Sequence, residues 1–185
     1  MPRAVAIPLV AAIAALLAAC ATVPAAAPGA AAPDAPFAVE GRLSARRGVD
    51  GVAGNFVWTH DRSGDVIALA TPLGQTMAKL SGGDGRARVE LADGAVAEAA
   101  DWESLTLRTL SVPLPVAGLA WWIRGVPHPR STNTVEVDAL GRAMVLRQDG
   151  WEVVYAYADA AARAASRVRL AWPDVDVRLV IDRWQ

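Results

Sequence analysis

Few residues of this chain combine the types and the spacing that catalysis needs. The strongest candidate is His60-Asp61 followed by Ser63 and Asp65, which supplies the residue types of a hydrolase. All four lie within the six positions 60–65, and Asp-Arg-Ser-Gly among them is typical of a turn between strands. A triad needs side chains that converge from separate elements, so we interpret this run as a turn.

Metal and phosphate chemistry have no better support. The chain has only two histidines, His60 and His128, and one cysteine. The glycine-rich run 81–85 lacks the lysine and the following helix of a phosphate-binding loop, so it predicts a hairpin turn. We therefore expect no metal, no other cofactor and no enzymatic activity. A hydrolase that uses His60 or His128 remains the alternative.

The single cysteine, Cys20, is where the sequence indicates covalent chemistry. Arg3 and the apolar, alanine-rich run through Ala19 have the layout of a secretory signal. Residues 17–20, Leu-Ala-Ala-Cys, resemble the lipobox of bacterial lipoproteins, in which the thiol is lipidated and becomes the first residue after cleavage. Ala21, in place of an aspartate, favours the outer membrane by the same resemblance. We expect a signal peptide at 1–19 and a lipid anchor at Cys20, with the protein facing the periplasm.

The composition after Cys20 predicts a tether and one folded domain. Residues 20–36 are mostly alanine and proline, which is typical of a flexible linker. Residues 37–185 are long enough for one sizeable core, and without a second cysteine no disulfide can stabilise it. The 18 Lys and Arg against 19 Asp and Glu leave no basic surplus for nucleic acid. A monomer is the default expectation.

The folded part consists mainly of short alternating segments separated by turn residues. This pattern predicts a mainly β fold, with an antiparallel sheet curled into a barrel or sandwich. The predicted strands number eleven and cover residues 37–45, 52–59, 65–70, 75–80, 86–91, 95–98, 134–137, 142–148, 151–157, 167–172 and 176–182.

Two short helices are predicted to interrupt the strands. Asp101 can cap a first helix, which Pro113 and Pro115 end. A second helix is predicted over residues 115–124, with proline at its start and Gly125 just past its end.

Two apolar features leave alternatives open. The seven tryptophans suit either ordinary core packing or an apolar ligand site on a concave sheet, and their spacing does not choose between the two. In Thr71-Pro72-Leu73-Gly74-Gln75 a bulky apolar residue occupies a turn, where polar residues are usual. Leu73 either folds back over an edge of the core or protrudes to contact a membrane.

Several short motifs follow one another along the folded part: Gly41-Arg42-Leu43-Ser44, Asn55-Phe56-Val57-Trp58, Thr71-Pro72-Leu73-Gly74-Gln75-Thr76, Leu114-Pro115-Val116, Trp122-Ile123-Arg124-Gly125, Gln148, Gly150-Trp151 and Tyr155. No single motif is specific, but their order behind a lipobox is specific. In this order they resemble the LolB family, the outer-membrane receptor of the bacterial lipoprotein-localisation pathway.

The resemblance implies an unclosed antiparallel barrel of about eleven strands with a short helical lid over an apolar cavity. It further implies a receptor that accepts cargo lipoproteins from a soluble, LolA-like periplasmic carrier, holds their acyl chains and inserts them into outer-membrane lipid. On this basis Pro72, Leu73 and Gly74 form the membrane-insertion loop. The residues expected to line the cavity are Phe56, Trp58, Ile67, Leu69, Leu119, Trp122 and Ile123.

Two other functions remain open, and one departure from the family is visible. A scaffolding lipoprotein would need no cavity, and the soluble carrier would share the barrel but lack a lipid anchor at Cys20. The family usually has an amphipathic helix before its first strand, whereas here only Pro33-Asp34-Ala35-Pro36 precedes Phe37.

Overall fold

A single antiparallel sheet dominates the computed structural model, which describes residues 35–83 and 85–185. The predicted signal peptide, Cys20 and nearly all of the predicted tether lie outside these residues. The described strands are β1 (Phe37–Arg47), β2 (Asp50–Asp61), β3 (Gly64–Ala70), β4 (Thr76–Gly83), β5 (Arg86–Leu91), β6 (Val96–Ala99), β7 (Asn133–Val137), β8 (Ala143–Gln148), β9 (Trp151–Ala156), β10 (Arg167–Trp172) and β11 (Val175–Trp184), and the helices are α1 (Trp102–Leu110) and α2 (Val116–Trp122).

The sheet consists of two meanders joined by one long-range pairing. Its strand order is β6-β5-β4-β3-β2-β1-β11-β10-β9-β8-β7. The first and last strands pair, which places Leu43 opposite Leu179. The edge strands β6 and β7 do not pair with each other, so the sheet is not closed. The predicted fold class, an unclosed antiparallel barrel of about eleven strands with two helices, is confirmed.

Alternation along each strand separates a core face from a solvent face. On β11, Val175, Val177, Leu179 and Ile181 are buried, while Asp176 and Val180 between them are partly exposed and Arg178 is exposed. Successive side chains of a strand point to opposite faces, so this period of two places every second residue on the concave side. The same pattern on β1 begins at Phe37.

Local capping determines where α1 begins and ends. The Asp101 carboxylate accepts a hydrogen bond from the backbone N–H of Ser104 at 2.6 Å, as the sequence predicts for an N-cap. This bond lowers the pKa of Asp101. At the other end Ser111 has a left-handed backbone with φ 61°, which stops the helix before Pro113.

The connection from α1 to α2 folds back onto α1. The buried hydroxyl of Thr106 donates to the Trp102 carbonyl at 2.8 Å and accepts from the Leu114 N–H at 2.8 Å. Helix α2 buries Val116 and Leu119 against the concave face of the sheet. Neither helix approaches the length that a membrane span requires, and the described residues contain no candidate span.

Candidate functional site

The concave face of the sheet and α2 enclose a small apolar cavity. Its volume is about 30 Å³, which is space for about two water molecules. All the residues on its wall are aliphatic or aromatic: Leu43, Phe56, Trp58, Ile67, Leu69, Leu80, Leu114, Val116, Leu119, Val177 and Leu179. A site of this composition suits a hydrocarbon ligand better than a polar one.

Most of the residues that the sequence nominates for the cavity do lie on this wall. Five of the seven line it, and these are Phe56, Trp58, Ile67, Leu69 and Leu119. Trp122 and Ile123 are also buried, each 1% exposed, but they do not line the cavity. The Trp122 ring lies instead near Trp151, with ring centroids 6.4 Å apart. The structure thus brings together the nominated residues of β2 and β3 with one residue of α2.

Six wall residues were not nominated from the sequence, namely Leu43, Leu80, Leu114, Val116, Val177 and Leu179. Alternation along β1 and β11 marks Leu43, Val177 and Leu179 as core-facing. Alternation does not predict that β1 and β11, more than a hundred residues apart, pair with each other and contribute to one cavity.

Two larger clefts lie outside this cavity and have a different chemistry. One of about 740 Å³ runs between the β2–β3 turn and the helices, and its lining includes Asp61, Arg62, Arg86, Asp101 and Arg130. Another of about 800 Å³ is lined mainly by small and charged residues of β3 to β6. Charged rims of this kind do not suit an acyl chain, so we place the candidate site in the smaller apolar cavity.

A buried glutamine fixes the chain just after α2. Gln148 is 3% exposed, and its carbonyl oxygen accepts from the Trp122 indole N–H and from the His128 backbone N–H, both at 2.8 Å. Its amide nitrogen donates to the His128 carbonyl at 2.7 Å and to the Ser131 hydroxyl at 2.9 Å. The side chain is therefore satisfied on both sides, as burial of an amide requires.

A second anchor reaches α2 from β9. The Tyr155 hydroxyl donates to the Trp122 carbonyl at 2.8 Å, and burial raises the pKa of Tyr155, which keeps the phenol protonated as the donor. Gln148 and Tyr155 together attach the end of α2 to β8 and β9. These two family motif residues are thus structural supports of the helix.

The Leu73 side chain projects into solvent. It is 90% exposed, at the tip of the loop between β3 and β4. The Gly74 N–H donates to the Thr71 carbonyl at 2.8 Å, and Gly74 has φ 86°. The side chain therefore protrudes and does not fold back over an edge of the core.

The His60 region forms a structural cluster without a nucleophile in contact. Asp65 is 7% exposed, and its carboxylate accepts from the Trp58 indole at 2.7 Å and lies 2.8 Å from the His60 ring nitrogen Nδ1. Ser63 instead donates to Asp61. Within residues 35–83 and 85–185, no group of three or more His, Cys, Asp or Glu could hold a metal ion.

Comparison with known proteins gives one consistent result. The family model described as "Outer membrane lipoprotein LolB" matches residues 35–184. Proteins named outer-membrane lipoprotein LolB are similar to this chain in Chromobacterium violaceum, at 39% identity over 83% of each chain, and in Azoarcus sp., at 36% over 82% of this chain and 79% of the relative. The one from Thiobacillus denitrificans is 35% identical over 96% of both chains.

Proposed function

Because this chain belongs to the LolB family of outer-membrane lipoproteins, we propose that it accepts lipoproteins from a soluble periplasmic carrier, holds their acyl chains under α2 and releases them into the outer membrane. Cys20 carries the lipid anchor, after removal of residues 1–19. Residues 20–36 connect this anchor to the folded domain. The relatives are named as lipoproteins and not as enzymes.

The apolar cavity is the observation that carries this proposal. A scaffolding protein gains nothing from a hydrocarbon-lined cavity beneath a helix, whereas an acyl-chain receptor needs one. Each methylene transferred from water to such a wall contributes about 0.8 kcal/mol. A chain of many methylenes is therefore held tightly without any specific polar contact.

The cavity must expand to take an acyl chain. Its volume of about 30 Å³ is too small for more than a fragment of one, so the chain has to displace α2 from the sheet. Helix α2 has seven residues and rests on the sheet through Val116 and Leu119. Because Gln148 and Tyr155 hold its C-terminal end, we place the movement at the N-terminal half, near Val116.

Differential burial sets the direction of transfer. The cavity offers apolar contact on all sides once α2 moves, and the bilayer offers still more volume, so each transfer buries the acyl chains better than the last. No nucleotide is needed for such a sequence of steps. In this scheme Leu73 enters the bilayer and brings the loaded domain against it.

The proposal is tested by transfer of a labelled cargo. The mature chain with Cys20→Ala is mixed with carrier that is loaded with a lipoprotein labelled on its polypeptide, and the two proteins are separated. We expect the label to move to this protein. The matched control is the same cargo without acyl chains, which should not move.

Two outcomes contradict the proposal. If the loaded carrier keeps its cargo, a scaffolding role becomes the better account. If cargo without acyl chains moves equally well, recognition is through the folded part of the cargo and the cavity has no role in it.

A further inference from the structure

A second apolar hairpin tip accompanies Leu73. Val49 has a relative exposure of 103%, against 90% for Leu73, and these are the two most exposed large apolar side chains among the described residues. An isolated exposed valine needs no explanation, but two apolar tips with a common location do.

Turn geometry does not account for an apolar residue at either tip. Arg47 pairs with Asp50, which leaves the two-residue loop Gly48-Val49, and Gly48 has φ 58°. A glycine at the first of two loop positions is what a type II′ hairpin requires, whereas its second position is open to polar residues. In the Leu73 loop, Pro72 and Gly74 have the residue types that the turn favours at their positions. The position of Leu73 between them has no requirement for an apolar residue.

Strand register places both tips at one end of the sheet. Phe37, the first residue of β1, is opposite His60, and the β2–β3 turn follows His60 directly. Phe37 and the β2–β3 turn therefore lie at the same end of the sheet. From there β1 runs to the Val49 hairpin, while β3 runs in the same direction to the Leu73 loop. The two hairpins are neighbours in the sheet, because β2 of the first pairs directly with β3 of the second.

The turn between β10 and β11 lies at the same end and adds an aromatic residue. Trp172 pairs with Val175, and Val175 pairs with Arg47 beside the Val49 hairpin. Trp172 is 43% exposed. Tryptophan is enriched at the interface between a bilayer and water. Trp172 is therefore a suitable residue for the end of the sheet that carries the two apolar tips.

On these observations we propose that Val49 is a second membrane-contacting residue, so that the Val49 and Leu73 tips meet the lipid surface of the outer membrane together. The inference rests on the proposed function, because it takes Leu73 as the first contact. It adds a residue to the insertion device and orients the domain, with the Phe37 end directed away from the bilayer.

A lipid anchor at Cys20 is compatible with this orientation, although residues 20–36 join the domain at the Phe37 end, which is directed away from the bilayer. Ala35 lies beside Arg124, whose guanidinium donates to the Ala35 carbonyl at 3.4 Å, close to Phe37. From Phe37 to Val49 is twelve residue steps, or roughly 40 Å of strand. Residues 20–36 span up to roughly 56 Å when extended, so the connection is long enough for the tips to reach the membrane.

Charge does not drive this contact. Arg46 and Arg47 lie beside Val49, but Asp50 is in the same hairpin and Asp174 forms an ion pair with Arg47 at 2.7 Å. These two positive and two negative side chains balance, and Asp93 and Asp149 in neighbouring turns add negative charge, so this end has no positive surplus. We therefore assign the contact to apolar burial, which should persist at high salt.

Leu140 provides a matched control at the opposite end of the sheet. It is 56% exposed in the turn between β7 and β8, where the Gly141 N–H donates to the Asp138 carbonyl at 3.0 Å and Gly141 has φ 75°. Its turn therefore repeats the hydrogen bond and the left-handed glycine of the Leu73 loop. The strand that follows this turn, β8, begins at Ala143, whose carbonyl accepts a hydrogen bond from the Tyr157 hydroxyl. Tyr157 follows the last residue of β9, so this end of the sheet is the one opposite Trp172.

The test uses the lipidated full chain in vesicles of phosphatidylethanolamine and phosphatidylglycerol. Lipidation occupies the only native thiol, so Val49→Cys, Leu73→Cys and Leu140→Cys each provide one free thiol for a polarity-sensitive dye. During cargo insertion we expect the emission to shift to the blue at positions 49 and 73 and to stay unchanged at 140. A shift at 73 without one at 49 overturns the inference and leaves the proposed function intact. No shift at either position contradicts the insertion loop of the proposed function as well.

A functional measurement accompanies the dye. Val49→Ala removes two methyl groups, so we expect the rate of cargo insertion to fall about tenfold, or about 1.4 kcal/mol, with uptake of cargo from the carrier unchanged. Leu140→Ala should leave both rates unchanged. An insertion rate of Val49→Ala equal to that of the wild type overturns the inference, because the tip lies outside the core and the variant folds.

Discussion

The indole N–H of Trp122 donates to the side-chain carbonyl of Gln148 at 2.8 Å, across 26 positions of sequence. This bond joins the last residue of α2 to the last residue of β8. Because the same carbonyl also accepts the His128 N–H, one buried amide positions both the helix and the loop that follows it. The C-terminal end of α2 is therefore held by polar contacts, whereas Val116 and Leu119 hold the rest of this helix by hydrocarbon packing.

Replacing Gln148 by leucine should loosen this end of the lid. The change leaves the Trp122 and His128 donors and the His128 carbonyl without their partner in a buried site, and unsatisfied groups cost about 1–3 kcal/mol each. We expect the free energy of unfolding in urea to fall by about 3 kcal/mol. Tyr155→Phe removes a single bond to the Trp122 carbonyl and should cost about 1 kcal/mol. Equal stabilities of Gln148→Leu and the wild type would show that water replaces the amide.

Replacing Leu73 by glutamate should separate release of cargo from its reception. The side chain is 90% exposed, so the variant keeps the fold, while a charge at the tip opposes entry into hydrocarbon. We expect transfer from the carrier to be unchanged and insertion into vesicles to fall at least tenfold. Leu140→Glu is the matched control, and its insertion rate should equal that of the wild type. Fast insertion by Leu73→Glu would remove the loop from the mechanism.

Asp65 predicts a pH dependence of stability. Burial raises the pKa of Asp65, and the hydrogen bonds from His60 and Trp58 only partly oppose this effect. The folded state therefore binds the proton more tightly than the unfolded chain does. The stabilising contribution is complete below the ordinary pKa of about 3.9 and is lost as the pH rises through the raised value.

Asp65→Asn isolates this effect, because asparagine is neutral at every pH and keeps an oxygen for the Trp58 indole. We expect the stability of the variant, relative to the wild type, to increase as the pH rises from about 3.5 to about 7. Urea unfolding at several pH values measures the difference. A difference that shrinks with rising pH would mean that the His60 contact outweighs burial.

Gly41 should not tolerate even one added methyl group. A Cβ at this position would lie 2.0 Å from the Val180 carbonyl oxygen of β11, where the register of the β1–β11 pairing shifts. The carbonyl belongs to the backbone of β11, which pairs with β1 and with β10, so it cannot move at low cost. We expect Gly41→Ala to lower the free energy of unfolding by about 3 kcal/mol, while Ser44→Ala on the same strand changes it by less than about 0.5 kcal/mol. A stable Gly41→Ala protein would show that β11 can shift there.

The local features of the fold were predictable from the sequence because they depend on near neighbours. Asp101 caps α1 as predicted, and Gly125 follows α2 with φ 74°. Strand positions were correct to within a few residues. The predicted start of β2 was two residues late because the Gly48-Val49 loop is tighter than glycines at 48 and 51 indicate.

The cavity was only partly predictable, for a physical reason. Alternation identifies which residues of a strand share a face, so Phe56, Trp58, Ile67 and Leu69 could be nominated together, and the structure places all four on one cavity wall. Alternation does not identify which distant strand completes the wall. Trp122 lies three residues after Leu119, so helical spacing predicts both on one face of α2. The Trp122 indole instead donates to Gln148, and the ring is not part of the cavity wall.

The order of the motifs indicated the family, as the matching family model confirms. Periodicity, capping and glycine positions predicted the eleven strands, the two helices and the turn residues, because these signals act over a few residues. The pairing of β1 with β11, the closing of an apolar cavity of about 30 Å³ by α2 and the protrusion of Leu73 became evident in the three-dimensional structure alone. These outcomes depend on contacts between residues far apart in the chain. Their free energies come from burial and hydrogen bonds that exist only once the whole sheet has formed.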